Sequence, residues 1–175
     1  MSLQSIIPAI NTDGSLYPIE KLQAHTDALF HLAVSVFVFD GEAVLIQRRA
    51  MSKYHCGGLW ANTCCTHPDW GEELEKCAPR RLREEMGIDL ALTRGGEIEY
   101  SADVGNGLHE HERVTIFCGK ADRERIELTP DTNEVMDWRW ISPEALRAEL
   151  RSDSSRFTPW LLIYMKHHSG LIFGS

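Results

Sequence analysis

The chain has no run of about 18 apolar residues, so nothing in it reads as a membrane span. Its start lacks a charged segment followed by an apolar one, so a secretory signal is not expected. Ser2-Leu3 after Met1 reads as a cloning remnant and is set aside. There is no disulfide framework: the five cysteines are an odd number, two of them adjacent, without regular spacing. That pattern fits reduced thiols in the cytoplasm. Positive charge is scarce, with 18 basic residues against 26 acidic ones and a formal net charge of −8. Nucleic acid is therefore not expected as a partner, because phosphate backbones need basic surface. An acidic protein holds an anionic ligand only through a local basic cluster, a metal ion or both. Repeats and low-complexity tracts are also missing.

The 175 residues suffice for one domain, residues 1–175, with a real core. Residues 5–18 read as a hairpin about the turn Asn11-Thr12-Asp13-Gly14. Residues 21–29 make one or two helical turns. Residues 32–39, β-branched and aromatic, read as a buried strand. Asp40-Gly41 is a two-residue hairpin signal, with 43–48 as the return strand. Residues 51–58 are loop. Residues 72–86 read as a helix capped by Gly87, bent at Pro79 and ragged in its early turns. Residues 97–103 and 112–120 read as strands joined by a turn at 104–107, and 135–141 as another strand. Ser142 is an N-cap with Pro143 at the first helical position, opening a helix to about Arg151. A polar linker, 152–156, leads to a last helix from Thr158 to about His168. Strands and helices mix without regular alternation, so the expected class is α+β or α/β, a mixed β-sheet layered between helices.

Glu110 and Glu112 stand two apart on a strand and share a face with Val114, Ile116 and Cys118. Inward carboxylates are costly unless something positive meets them; otherwise they lie on a solvated edge. His109 and His111 take the opposite face. His25, His31 and His67 are scattered along the chain, but with the two glutamates they make a five-donor N/O set. Such a set suits a six-coordinate divalent metal better than a tetrahedral zinc site. A zinc site from Cys56, Cys64, Cys65 and His67 is the competitor, though it lacks Cys-x₂-Cys spacing. Lys21, Arg48, Arg49 and Lys53 supply the basic cluster. Arg81 and Glu85 share a helix face, either as an exposed ion pair or with Glu85 holding magnesium against phosphates. Tyr100, Trp60 and Trp160 are core residues, or ring faces beside a developing cation, each contact worth roughly 0.5–2 kcal/mol.

The stretch from Asn62-Thr-Cys-Cys-Thr-His-Pro68 to Ile88 resembles the Nudix box, the signature of enzymes that act on diphosphates. Glu72, Arg80, Leu82, Glu84, Glu85, Gly87 and Ile88 stand where that pattern wants them. Thr66 replaces a usual glycine. Arg81 replaces a glutamate on which the hydrolytic members rely. Further motifs are Lys21-x₃-His25-Thr26, His31-Leu-Ala33, Gln47-Arg-Arg-Ala50, Gly58-Leu-Trp-Ala-Asn62, Gly107-Leu-His-Glu-His-Glu112 and Phe157-Thr-Pro-Trp160. Together, over about residues 21–164, they resemble the type 1 isopentenyl-diphosphate δ-isomerases. These are Nudix-fold enzymes of isoprenoid biosynthesis that interconvert isopentenyl and dimethylallyl diphosphate.

The resemblance implies reversible protonation and deprotonation through a tertiary carbocation, with Cys65, Glu112, Tyr100 and Trp160 as catalytic residues. It implies a divalent metal (manganese, magnesium or zinc) on His25, His31, His67, Glu110 and Glu112. It also implies that Glu85 joins a magnesium ion arriving with the diphosphate, whose oxygens Lys21, Arg49, Lys53 and Arg81 hold. A protonation route needs two proton-handling groups in a site that excludes water. A monomer is expected, with a dimer as the alternative. The competing functions are a Nudix diphosphohydrolase, favoured by Glu84-Glu85, and a non-catalytic metal-binding module, which leaves Cys65 without a purpose.

Overall fold

The computed structural model of the chain describes residues 5–174; Ser2 and Leu3 lie outside the described residues. Turn chemistry sets the first boundaries. β1 (Ile6–Ile10) and β2 (Leu16–Glu20) form the expected hairpin, and α1 (Lys21–Thr26) follows at once. β3 (His31–Asp40) turns into β4 (Ala43–Arg49) with Asp40 opposite Ala43. The loop pair is therefore Gly41-Glu42, one step later than Asp40-Gly41. Gly41 takes a φ of 56°, a conformation that favours glycine, and this requirement places the turn.

β3 runs parallel to β8 (Leu108–Lys120), with His31 beside Glu112. β8 pairs antiparallel with β7 (Leu92–Gly105), a longer hairpin than the sequence suggested. On its other side, β3 meets β4 only at Phe39–Val44 and Asp40–Ala43. The two strands then part. β4 continues against β9 (Val135–Ile141) and β5 (Trp60–Ala61). β6 (Cys64–Thr66) pairs with residues 34–36 of β3. Both short strands, unforeseen in the sequence, fill the opening between β3 and β4.

Side chains replace ladder bonds inside that opening. Thr63 Oγ1 accepts from the Val38 amide at 2.9 Å and donates to the Leu45 carbonyl at 2.6 Å. Asn62 Nδ2 donates to the carbonyls of Val36 and Cys64, each at 3.1 Å. Gln47 Nε2 donates to the Thr63 carbonyl at 2.9 Å. Buried backbone groups left by the parted strands thus keep partners.

Alternation along β3 gives the sheet two apolar faces. Val34, Val36 and Val38 pack against Cys77, Ala78, Leu82 and Met86 of α2 (Leu74–Met86). Ala33 and Phe37 pack toward Trp160, Leu161 and Tyr164 of α4 (Pro159–His167). α2 passes through Pro79 as one element and begins two residues after Glu72. Glu72 stays outside because its carboxylate is taken by Arg80 at 2.6 and 2.7 Å and by the Asp69 amide at 2.9 Å. Gly87 closes the helix at φ 69°, and a Cβ there would fall 2.0 Å from Thr129 Oγ1. α3 (Pro143–Ser152) is capped by Ser142, whose Oγ accepts from the Ala145 amide at 3.1 Å. The polar linker contains a 3-10 turn, Ser154–Arg156, and α4 is followed by an unforeseen α5 (Ser169–Phe173). Among the described residues no helix is long and apolar enough to cross a membrane.

Thr63→Val keeps the volume but strips both bridging hydrogen bonds. It is expected to lower unfolding free energy by about 1–3 kcal/mol in urea denaturation, whereas Thr63→Ser stays near wild type.

Candidate active site

Where β3 and β4 part, a cleft opens on the α4 side of the sheet. Cys65 and Glu112 both line it, together with Ser35, His67, Tyr100 and Trp160. Parity along β6 decides which cysteine arrives there: Cys64 packs into the α2 face, and Cys65 turns to the other. The Cys65 thiol donates to Asn62 Oδ1 at 2.9 Å and lies 2.9 Å from Ser35 Oγ, which in turn lies 2.9 Å from the Tyr164 hydroxyl. Asn62 Oδ1 also accepts from Trp160 Nε1 at 3.2 Å. One amide, anchored through its Nδ2, thus orients both the sulfur and the indole. Burial pushes the Cys65 thiol well above its ordinary pKa, and the Ser35 and Asn62 hydrogen bonds offset this only in part. At neutral pH it is a thiol.

Glu112 is the hub of a buried His/Glu centre. Its Oε1 lies 2.8 Å from His67 Nε2 and 3.3 Å from His31 Nε2. Burial opposes its ionisation, but His67 and His31 outweigh burial and hold the carboxyl well below its usual range. Glu110 goes the other way, pushed up by burial and by the Glu112 charge. The Tyr100 hydroxyl bridges the two, 2.7 Å from Glu110 Oε2 and 2.9 Å from Glu112 Oε2. Burial, then the Glu110 charge, keep that phenol neutral.

The donor set suits a divalent cation. His25 Nδ1 donates to the Lys21 carbonyl at 2.7 Å, and His31 Nδ1 donates to the Leu29 carbonyl at 2.6 Å. Each ring therefore presents Nε2 to the centre, the outer hydrogen bond fixing the tautomer as around metal-bound imidazoles. Burial lowers His25 to about 4, so its ring is neutral, yet its buried Nε2 has no hydrogen-bond partner. The donor atoms of His25, His31, His67 and Glu112 all lie within 4.8 Å of one another, and His25, His55 and Glu110 form a second such group. Cys56, Cys64, Cys65 and His67 form no such group among the described residues, so the thiolate zinc site is excluded.

The cleft's other end is basic. Lys21, Arg49, Lys53, Arg81 and Glu85 line it, but Arg48 does not: its Nε donates to the Gly58 carbonyl at 2.8 Å. Arg81 and Glu85 are not an exposed pair. Both side chains are buried and meet at 2.7 Å, because β4 and the loop before β9 cover that face of α2. Arg81 also reaches Glu84 at 2.5 Å and Glu134 at 3.7 Å, and its Nε donates to Thr66 Oγ1 at 3.1 Å. Thr66 and Arg81, the two departures from the Nudix pattern, thus touch each other. Lys53 Nζ pairs with Glu134. Burial opposes Glu134 ionisation, yet Lys53 holds that carboxyl at about 2. Arg49 stacks on Trp160, 5.2 Å from the ring centroid.

Of the residues given a role by the family resemblance, all line this cleft except His25 and His31, which complete the His/Glu centre beside it; Arg48, read as part of the basic cluster, stays outside. His109 is half-buried and His111 exposed, as their parity predicts, and Trp60 is core, under Arg139. The sequence reading missed Asn62 as an orienting group, along with His55 and Glu134. Neither of the last two lies on a periodic element, so only the complete fold reveals them.

Comparison with known proteins places this geometry. The NUDIX domain family matches residues 29–161. An isopentenyl-diphosphate Delta-isomerase of Rhodobacter capsulatus is 53% identical over 97% of this chain and 96% of its own length. One from Ruegeria pomeroyi is 51% identical over 97% and 93%. Among solved structures, a Deinococcus radiodurans protein superposes with a TM-score of 0.67 at 15% identity, covering 84% of this chain and 89% of its own. A MutT NUDIX hydrolase from Burkholderia pseudomallei gives 0.60 at 17%, covering 79% and 98%. These last two establish the fold.

Burial, then the charges of Lys53 and Arg49, lower Lys21 to about 7. At pH 8 most free protein therefore carries neutral Lys21, and an anion in the cleft raises its proton affinity. Magnesium pyrophosphate binding at pH 8 is expected to take up protons, read as a buffer-dependent enthalpy in calorimetry. Lys21→Met abolishes this contribution, and below about pH 6 it vanishes because the amine is already charged.

Proposed function

The chain belongs to the type 1 isopentenyl-diphosphate Delta-isomerases of the Nudix superfamily, and from that premise we propose how its cleft divides the work. The enzyme isomerises isopentenyl diphosphate to dimethylallyl diphosphate, moving a C=C bond without releasing phosphate. An unactivated alkene is a poor base and an allylic C–H a poor acid. One proton must be added to give a tertiary cation, and a different one removed from the adjacent carbon. The observation that carries the assignment is that Cys65 and Glu112 open into one cleft. With a thiol on one and a carboxylate on the other, the pair holds a single transferable proton; a turnover moves it from one group to the other as the substrate gains one proton and loses another, and exchange with solvent or the reverse reaction resets the pair.

Tyr100, neutral and hydrogen-bonded to both glutamates, couples Glu112 to Glu110. Trp160 presents its ring to the reacting carbons, and Asn62 holds ring and sulfur in one register. Lys21, Arg49, Lys53 and Arg81 take the diphosphate oxygens, with Glu85 for an accompanying magnesium ion. A manganese, magnesium or zinc ion on His25, His31, His67, Glu110 and Glu112 supplies a fixed positive charge beside the Glu112 carboxylate. All five cysteines are free thiols, which supports a reducing cytoplasmic setting.

Hydrolysis is the second reading, favoured by Glu84 and Glu85. Glu84, however, is engaged by Arg80 and Arg81, and the glutamate that hydrolytic members use is Arg81 itself.

Incubation with isopentenyl diphosphate in deuterated water is expected to place deuterium in dimethylallyl diphosphate, with no phosphate released. Cys65→Ala is expected to slow this by roughly 10²–10⁴-fold. Phosphate release without label in the alkene would sink the assignment. Asn62→Ala, which unties sulfur and indole together, is expected to cost about 1–3 kcal/mol, roughly 5- to 150-fold in kcat. KM should stay nearly unchanged, since Asn62 touches no diphosphate ligand.

A further inference from the structure

His55 comes from the loop after β4, and its side chain is buried among groups already placed at the His/Glu centre. Its ring lies 5.6 Å from His25, nearly parallel at 27°, and packs edge-on against Tyr54 and Trp160. Its Nε2 is 3.7 Å from Glu110 Oε1, and its buried Nδ1 has no partner. Glu110 Oε2 is occupied by Tyr100, so Oε1 is the oxygen that faces His55. The donor atoms of His25, His55 and Glu110 all lie within 4.8 Å of one another.

These three residues cannot hold a second ion beside the first. His25 Nδ1 is committed to the Lys21 carbonyl, leaving His25 a single lone pair for both donor groups. One ion must therefore serve both. Donors sit about 2.0–2.2 Å from such a cation, so opposite donors stand roughly 4.0–4.4 Å apart. Within each group every pair of donor atoms lies inside 4.8 Å, and contraction of both groups about the His25 Nε2 they share would bring them onto one centre.

We propose that His55 is a sixth protein ligand, completing a sphere of four imidazoles and two carboxylates around an ion seated on His25 Nε2. This rests on the metal centre proposed above and deepens it. Six protein donors fill an octahedron and leave no position for water or substrate. The ion then acts on the reaction only by charge and by positioning Glu112 and Tyr100, while the alkene meets side chains alone.

The test uses the full chain loaded with manganese. Binding is measured by calorimetry, and bound nitrogen and water by pulsed electron paramagnetic resonance in ¹⁷O-labelled water. Wild type is expected to show four coordinated nitrogens and no inner-sphere water. His55→Ala and the bulkier His55→Gln should each lose one nitrogen, gain one water and bind manganese about 10- to 100-fold more weakly. Inner-sphere water in wild type, or unchanged nitrogen count and affinity in both variants, overturns the proposal. His67→Ala separates the two levels: if it loses manganese while the His55 variants do not change, only His55 is misassigned. If His67→Ala also binds normally, the centre itself is misassigned.

Discussion

A sheet that splits must find new partners for the backbone groups it exposes, and the whole site depends on how this chain does so. β3 and β4 separate two residue pairs from their hairpin. Buried and unpaired, each amide or carbonyl left behind would cost about 1–3 kcal/mol. Asn62, Thr63 and Gln47 take those positions with side-chain hydrogen bonds. Their geometry fixes the short strand β6, whose alternation sends Cys64 to one core and Cys65 to the cleft. Asn62 then uses its remaining oxygen on Cys65 and Trp160. Asn62, one of the polar residues that close the split, is thus also the one that orients Cys65 and Trp160.

The second organising feature is electrostatic. An acidic chain concentrates cations at one end of the cleft and carboxylates at the other. Arg81 links the two regimes, buried against Glu84, Glu85 and Glu134 while its Nε holds Thr66. A glutamate at position 81 would add a negative charge beside those three carboxylates. Thr66, in turn, supplies an acceptor that glycine lacks. The two departures belong together, and they bring a positive charge to the cleft where the Nudix pattern has a carboxylate. Arg80, one residue away, does something different: it braces Glu72 and Glu84 at the helix surface.

Much of this was legible in residues alone. The period-two face of Glu110, Glu112, Val114 and Ile116 appears as buried positions on β8, and the turn and cap chemistry at Asn11–Gly14, Ser142 and Gly87 appears at its expected places. The long motif around Cys65 also carried the family. The rest was hidden for physical reasons. β5 and β6 are two and three residues long, too short for any period to register. Helical spacing put Arg81 and Glu85 on one face but could not say what docks there, and burial changed their meaning from surface pair to site. His55 and Glu134 sit in irregular segments, where proximity arises only after distant strands pair.

The parallel pairing of β3 with β8 carries one more implication. His31 and Glu112 stand opposite each other in that register, while His25 comes from α1 and His67 from the end of β6. No local stretch of chain, and no single hairpin, contains more than a fraction of the donors. Pairings between such remote segments form slowly during folding, so a newly made polypeptide offers a cation only isolated imidazoles until the central strands have found their register. An ion that binds the finished arrangement and not its precursors stabilises it by mass action. Under the metal assignment proposed above, such an ion would act as a checkpoint, rewarding only chains whose topology is complete.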